Sequence, residues 1–137
     1  MILDTLIEIF TDGGARGNPG PAAYGFVAKA DGQIVKEGAG YLGIATNNFA
    51  EYTAVIEALE FAKGKFAGQD LKFYMDSQLV ASQLSGLFKI KNAAIRELVF
   101  KIRGLESSFG QITYTHVPRE KNKEADRLVN LALDGEI

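Results

Sequence analysis

The chain has no cysteine and a single histidine in 137 residues. The first absence excludes disulfides and thiolate zinc sites, and the second leaves little for imidazole coordination. Any metal would therefore sit among oxygen ligands, as a hard cation does. Long apolar runs are missing too: none approaches the roughly 18 residues that a membrane span needs. The opening stretch, MILDTLIEIF, has no basic segment and no small-residue cleavage site, so no signal peptide is expected there. Charge of one sign is also scarce. Fifteen Lys+Arg stand against 17 Asp+Glu, a net charge of −2, so a nucleic-acid partner would need a local basic patch. With 47% apolar and 23% charged residues, the composition is ordinary and globular. A single domain over 1–137 is expected, in a cytoplasmic protein, with nothing that demands a protein partner or more than a monomer.

The periodicity changes along the chain. TLIEIF (5–10) alternates like a strand and runs into FTDGGARGNPG (10–20), so Asp12 is expected where that strand ends. AAYGFVAKA (22–30) and QIVKEGAGY (33–41) flank Asp31-Gly32, a strong hairpin signal. Helical spacing follows over 47–66, where Tyr52, Val55, Ile56, Leu59, Ala62 and Phe66 recur at three- and four-residue steps. QDLKFYM (69–75) reads as a strand ending before Asp76. Residues 77–85 and 92–105 read as helices, 110–117 as a strand stopped by Pro118, and 122–134 as a helix with Ala125, Leu128, Val129 and Ala132 on one face. The order is βββαβααβα, a mixed α/β domain.

This order has a geometric consequence. Strands separated by a helix usually become parallel neighbours through a right-handed crossover. The strands leading to Asp12 and Asp76 are then expected side by side, about 4.8 Å apart, with both acids at one edge of the sheet. Two carboxylates that close repel unless a cation lies between them. Glu51 and Asp126 fall in the first turns of two helices. Each has a plainer explanation: Asn48-x-x-Glu51 fits a capping box, and Asp126 suits a helix dipole. It is the joint placement of four acids at two strand ends and two helix starts that argues for a common site.

The blocks TDGGARGNPGPAAYGFV, TNNFAEYTAVIEAL, YMDSQLV and NKEADRLVN, in that order, resemble the four carboxylate-bearing blocks of type 1 ribonuclease H over essentially the whole chain. The resemblance implies a five-stranded mixed sheet with helices packed on it. It also implies hydrolysis of the RNA strand of RNA/DNA hybrids, leaving 5′-phosphate and 3′-hydroxyl ends, with two Mg²⁺ ions for which Mn²⁺ can substitute. Asp12, Glu51, Asp76 and Asp126 would be the metal-binding and catalytic acids, facing two ions about 3.5–4 Å apart. Gly13, Gly14, Asn18, Asn48 and Gln78 match positions that meet the RNA strand's 2′-hydroxyls, and Thr46 and Asn47 are candidates for phosphate contacts. Capping or turn roles remain the alternative for the three asparagines.

The chain also departs from the family pattern. His116 lies ten residues before Asp126, yet PREKNKEAD is too short for the mobile histidine loop of many members, so His116 is expected to pack or to make a local hydrogen bond. Arg119 is the candidate substitute at the site, able to meet a phosphate bidentately; otherwise it is a solvated loop arginine. The basic protrusion found in some members is expected to be absent. Lys89 and Lys91, in FKIKN, remain as candidate backbone-tracking residues, with weak and only mildly salt-sensitive binding as the consequence. Phe49 and Phe88 are read as packing residues. Cleavage of duplex RNA as well as hybrids, a non-catalytic binding module, and a transposase-like core are the competing readings.

Overall fold

The computed structural model describes residues 5–137. Three antiparallel strands come first: β1 (Ile7–Ala15), β2 (Gly20–Ala30) and β3 (Gln33–Ala45). Asp31 (φ 51°) and Gly32 (φ 83°) turn β2 into β3 with two left-handed residues, as the dipeptide predicts. Helix α1 (Asn47–Lys65) leads to β4 (Leu71–Met75). Helices α2 (Gln78–Leu84) and α3 (Ala93–Glu106) precede β5 (Ile112–His116), and a 3₁₀ turn (Arg119–Lys121) leads into α4 (Lys123–Leu133). The sheet order is β3-β2-β1-β4-β5, with β4 and β5 parallel to β1. The expected five-stranded mixed sheet is therefore the observed one. No helix among the described residues is long and apolar enough to cross a membrane.

Strand β1 does not stop at Asp12. It continues through Gly13 and Gly14 to Ala15, because β2 supplies an antiparallel partner for each residue up to Ala22. Only the parallel ladder to β4 ends there, at Thr11↔Met75. β3 likewise runs on to Ala45, with irregular register against β2 at Ala22/Ala23 and Ala28/Lys29.

The sheet has two unequal faces. On one, α1, α2 and α3 close over a core that includes Ile9, Phe26, Val55, Leu59, Phe73 and Ile102. All the α1 residues singled out by spacing are buried there. On the other, α4 rests on a small cluster of Ala23, Val129 and Ala132. Ion pairs Lys29–Glu124 (2.9 Å), Arg127–Glu37 (3.1 Å) and Arg16–Asp134 (2.7 Å) tie α4 and its C-cap to β2, to β3 and to the β1–β2 loop. Phe88 is not a packing residue: it lies in the α2–α3 connection, 58% exposed, where Ile90 rather than Phe88 packs against the core.

Candidate active site

Thr11 and Met75 form the last parallel pair of β1 and β4, so Asp12 and Asp76 follow on adjacent strands at matched register. The side-by-side placement expected from the crossover is present. Glu51 joins them from α1. It does not form a capping box, because the N-cap is Thr46, whose Oγ1 accepts from the Phe49 amide at 3.1 Å. Glu51 lies two residues beyond the position a capping box would need. Its Oε1 instead accepts from the Gly13 amide at 2.5 Å. That contact requires glycine at 13, since a Cβ there would overlap the backbone of Ala50 and Glu51. The absent side chain lets the first turns of α1 lie directly on β1.

Asp12, Glu51 and Asp76 each offer a carboxylate oxygen within 4.8 Å of the others. Asp12 is 8% exposed. Burial, followed by the charges of Glu51, Asp76 and Asp126, pushes its carboxyl up to about 9. Glu51 is pushed up to about 7 by burial and by Asp76, against the lowering effect of the Gly13 amide. Three crowded carboxylates, in no ion pair among the described residues, form an all-oxygen donor set, which suits a hard divalent cation. Asp126, in the first turn of α4, lines the same cleft but stands outside this trio.

The cleft has a volume of about 410 Å³, and Gly13, Gly14, Asn47, Asn48 and Arg119 also line it. Asn47 accepts from the Ala15 amide through Oδ1 (2.7 Å), and its own amide donates to Asn18 Oδ1 (3.0 Å). These bonds clip the β1–β2 loop to the start of α1. A second groove, of about 680 Å³, shares Asn47 and Asn48 with the cleft and adds Asn18 and Thr46. Gln78, Lys89 and Lys91 are exposed and line neither. His116 ends β5 exposed and outside the cleft, so it is not buried in packing.

Three residues near the acids went unnoticed in the sequence. Arg16 lines the cleft and pairs with Asp134. Asn130 donates to the Asp126 carbonyl at 3.0 Å. Asn122 is buried and donates to the Thr11 carbonyl at 2.9 Å. The signal for the two asparagines was their spacing: Asn122, just before α4, and Asn130, on it, stand four residues to either side of Asp126.

Comparison with known proteins agrees with this geometry. Residues 10–132 match the family model described as "Reverse transcriptase-like". Ribonuclease HI of Halobacterium salinarum is 46% identical over 129 residues, which cover 93% of this chain and 64% of that protein. A bifunctional protein of Mycobacterium tuberculosis is 43% identical over 130 residues, 93% of this chain and 35% of that protein. The chain thus spans under two thirds of either relative. The crystal structure of LC11-RNase H1 in complex with an RNA/DNA hybrid superimposes with a TM-score of 0.90 at 41% identity, covering 95% of this chain and 98% of that one. With an acidic trio on this sheet and matches of this extent, the chain belongs to the type 1 ribonuclease H family.

Proposed function

We propose that the chain hydrolyses the RNA strand of RNA/DNA hybrids, leaving 5′-phosphate and 3′-hydroxyl ends. The observation that carries the reading is the trio of Asp12, Glu51 and Asp76 at the end of the β1–β4 ladder. The LC11 structure, bound to a hybrid, supports the substrate class. Asp12, Glu51 and Asp76, with Asp126 as a fourth ligand, would hold Mg²⁺, and Mn²⁺ would substitute. When bound, two such ions activate water and stabilise the leaving oxygen of an in-line displacement. The chain itself supplies orientation. The Gly13 amide fixes Glu51, Gly13 and Gly14 line the cleft that the sugar-phosphate strand enters, and Asn18, Asn48 and Gln78 read its 2′-hydroxyls. Thr46 and Asn47 meet phosphates along the neighbouring groove. Arg119, at the rim, adds a permanent positive charge for a phosphate.

The protein is a short form of the family. Eight residues join α2 to α3 and six join β5 to α4, which supports the absence of both a basic protrusion and a long histidine loop. Lys89 and Lys91 are then the main duplex-tracking cations, and affinity is modest with a shallow salt slope. Residues 1–137 act as one catalytic domain, as a monomer in the cytoplasm. The test uses one labelled RNA strand annealed to DNA or to RNA, with Mg²⁺ or EDTA. Metal-dependent cutting of the hybrid alone is the expected result. Cutting of both duplexes would replace it with the wider specificity, and cutting of neither by folded protein would overturn the hydrolase reading.

A further inference from the structure

Among the described residues, one side-chain polar atom is buried without a hydrogen-bond partner: Oδ1 of Asn122. The residue is 1% exposed, and its side chain does not cap α4. Its single side-chain bond runs from Nδ2 to the Thr11 carbonyl, across 111 positions of sequence. A buried carboxamide with its oxygen unmet is destabilising. A position that served only to fill space would favour an apolar residue.

What Asn122 joins explains its presence. Thr11 directly precedes Asp12 and is the last β1 residue laddered to β4. The main-chain carbonyl of Asn122 accepts from the Asp126 amide at 3.1 Å. One residue therefore holds both the strand that carries Asp12 and the helical turn that carries Asp126. A second contact sets the height of that turn. Gly25, opposite Asp12 in the β1–β2 register, lies so close beneath α4 that a Cβ would come 2.8 Å from the Ala125 carbonyl and 3.0 Å from Leu128 Cβ. Besides its buried apolar face, α4 is tied by partly exposed ion pairs, which solvent and salt weaken. The Asn122–Thr11 bond is buried and directional.

We propose that Asn122, with Gly25 as the floor beneath the turn, is a positioning residue that fixes Asp126 relative to Asp12, Glu51 and Asp76. The proposal rests on the hydrolase reading above. Asn122 acts through Asp126 and touches no substrate.

A double-mutant cycle on hybrid cleavage, run well below the melting temperature, tests it. Asn122→Ala should lower kcat about tenfold, the effect typical of groups that orient a ligand. KM for the hybrid should stay within about twofold. In an Asp126→Asn background the same change should lower kcat by less than about twofold, because the group it positions is gone. Asn122→Leu keeps most of the side-chain volume and loses the donor without burying a charge, so it should reproduce the alanine result and serves if the alanine variant fails to fold. Ala132→Gly, further along α4, should lower Tm without altering kcat. Independently of activity, hydrogen exchange at the Asp126 amide should accelerate in Asn122→Ala while that at Ala132 does not. Equal kcat losses in both backgrounds, or unchanged kcat with unchanged exchange at Asp126, would overturn the proposal. A wild type that cuts no hybrid would remove the hydrolase reading instead, and the exchange experiment would still decide whether Asn122 anchors the Asp126 turn.

Discussion

The two faces of the sheet are built differently, and the acids divide along the same line. Helices α1, α2 and α3 share a core of twenty buried residues, whereas the cluster under α4 has three. Asp12, Glu51 and Asp76 belong to β1, α1 and the end of β4, all elements of the larger core. Each fully buried aliphatic or aromatic side chain there contributes roughly 1.5–3 kcal/mol, so the crowding of three carboxylates is held by a large reserve. Asp126 rides on the other face. Its helix is held by a short buried face of Ala125, Leu128, Val129 and Ala132, by partly exposed ion pairs and by one buried amide bond. The trio is therefore held by the large core, while the fourth acid rests on a smaller apolar face reinforced by polar contacts that can be removed one at a time.

Substitutions can break this division. The largest effect is expected at Glu51→Gln, which removes a charge from the trio while keeping an oxygen for the Gly13 amide. Its kcat on the hybrid should fall by about 10²–10³-fold, on the scale of other electrostatic groups at reaction centres. In the same variant, melting of the metal-free protein above pH 7 should move upward, because a buried like charge has gone. Leu59→Ala, in the large core, should cost about 2–5 kcal/mol in denaturant unfolding. Asp126→Asn should lower kcat less than Glu51→Gln, by about tenfold, with a higher Mg²⁺ requirement in steady-state titrations. Equal losses for the two acids would erase the distinction between trio and outlier.

The pH dependence sharpens the same contrast. Asp12 and Glu51 are raised to about 9 and about 7 from ordinary values of 3.8 and 4.5. The folded, metal-free protein thus binds protons that the unfolded chain has released. Their contribution to stability is intact below about pH 4 and is lost as pH climbs through 7 towards 9. Thermal melts in EDTA should show Tm falling across that window, and Mg²⁺ should flatten the fall. The smallest effect is expected at Arg127→Ala, which breaks the exposed pair with Glu37. Its cost should be within about 0.2–1 kcal/mol and should shrink further in high salt.

Much of this was legible in the sequence because it follows from local chemistry and chain topology. Asp31-Gly32 specifies its turn, the helical spacing of Tyr52 through Phe66 marks the buried face of α1, and the crossover rule brings Asp12 beside Asp76. The parts that were not legible depend on partners distant in sequence. Nothing local shows that β2 will carry β1 onward through two glycines. Asn48 and Thr46 are both good caps, and only the docking of α1 on Gly13 decides for Thr46 and releases Glu51. Asn122 and Asn130 offered no more than a four-residue spacing around Asp126, and the role of Asn122 comes from a bond to Thr11 at the other end of the chain.

The most direct measurement compares wild type with Asp76→Asn on a labelled RNA/DNA hybrid in Mg²⁺, with both proteins shown to be folded. The account predicts scission of the RNA strand with 5′-phosphate ends by the wild type, and a loss of more than about a hundredfold in the variant. Cutting by Asp76→Asn at the wild-type rate would contradict the trio as the catalytic centre.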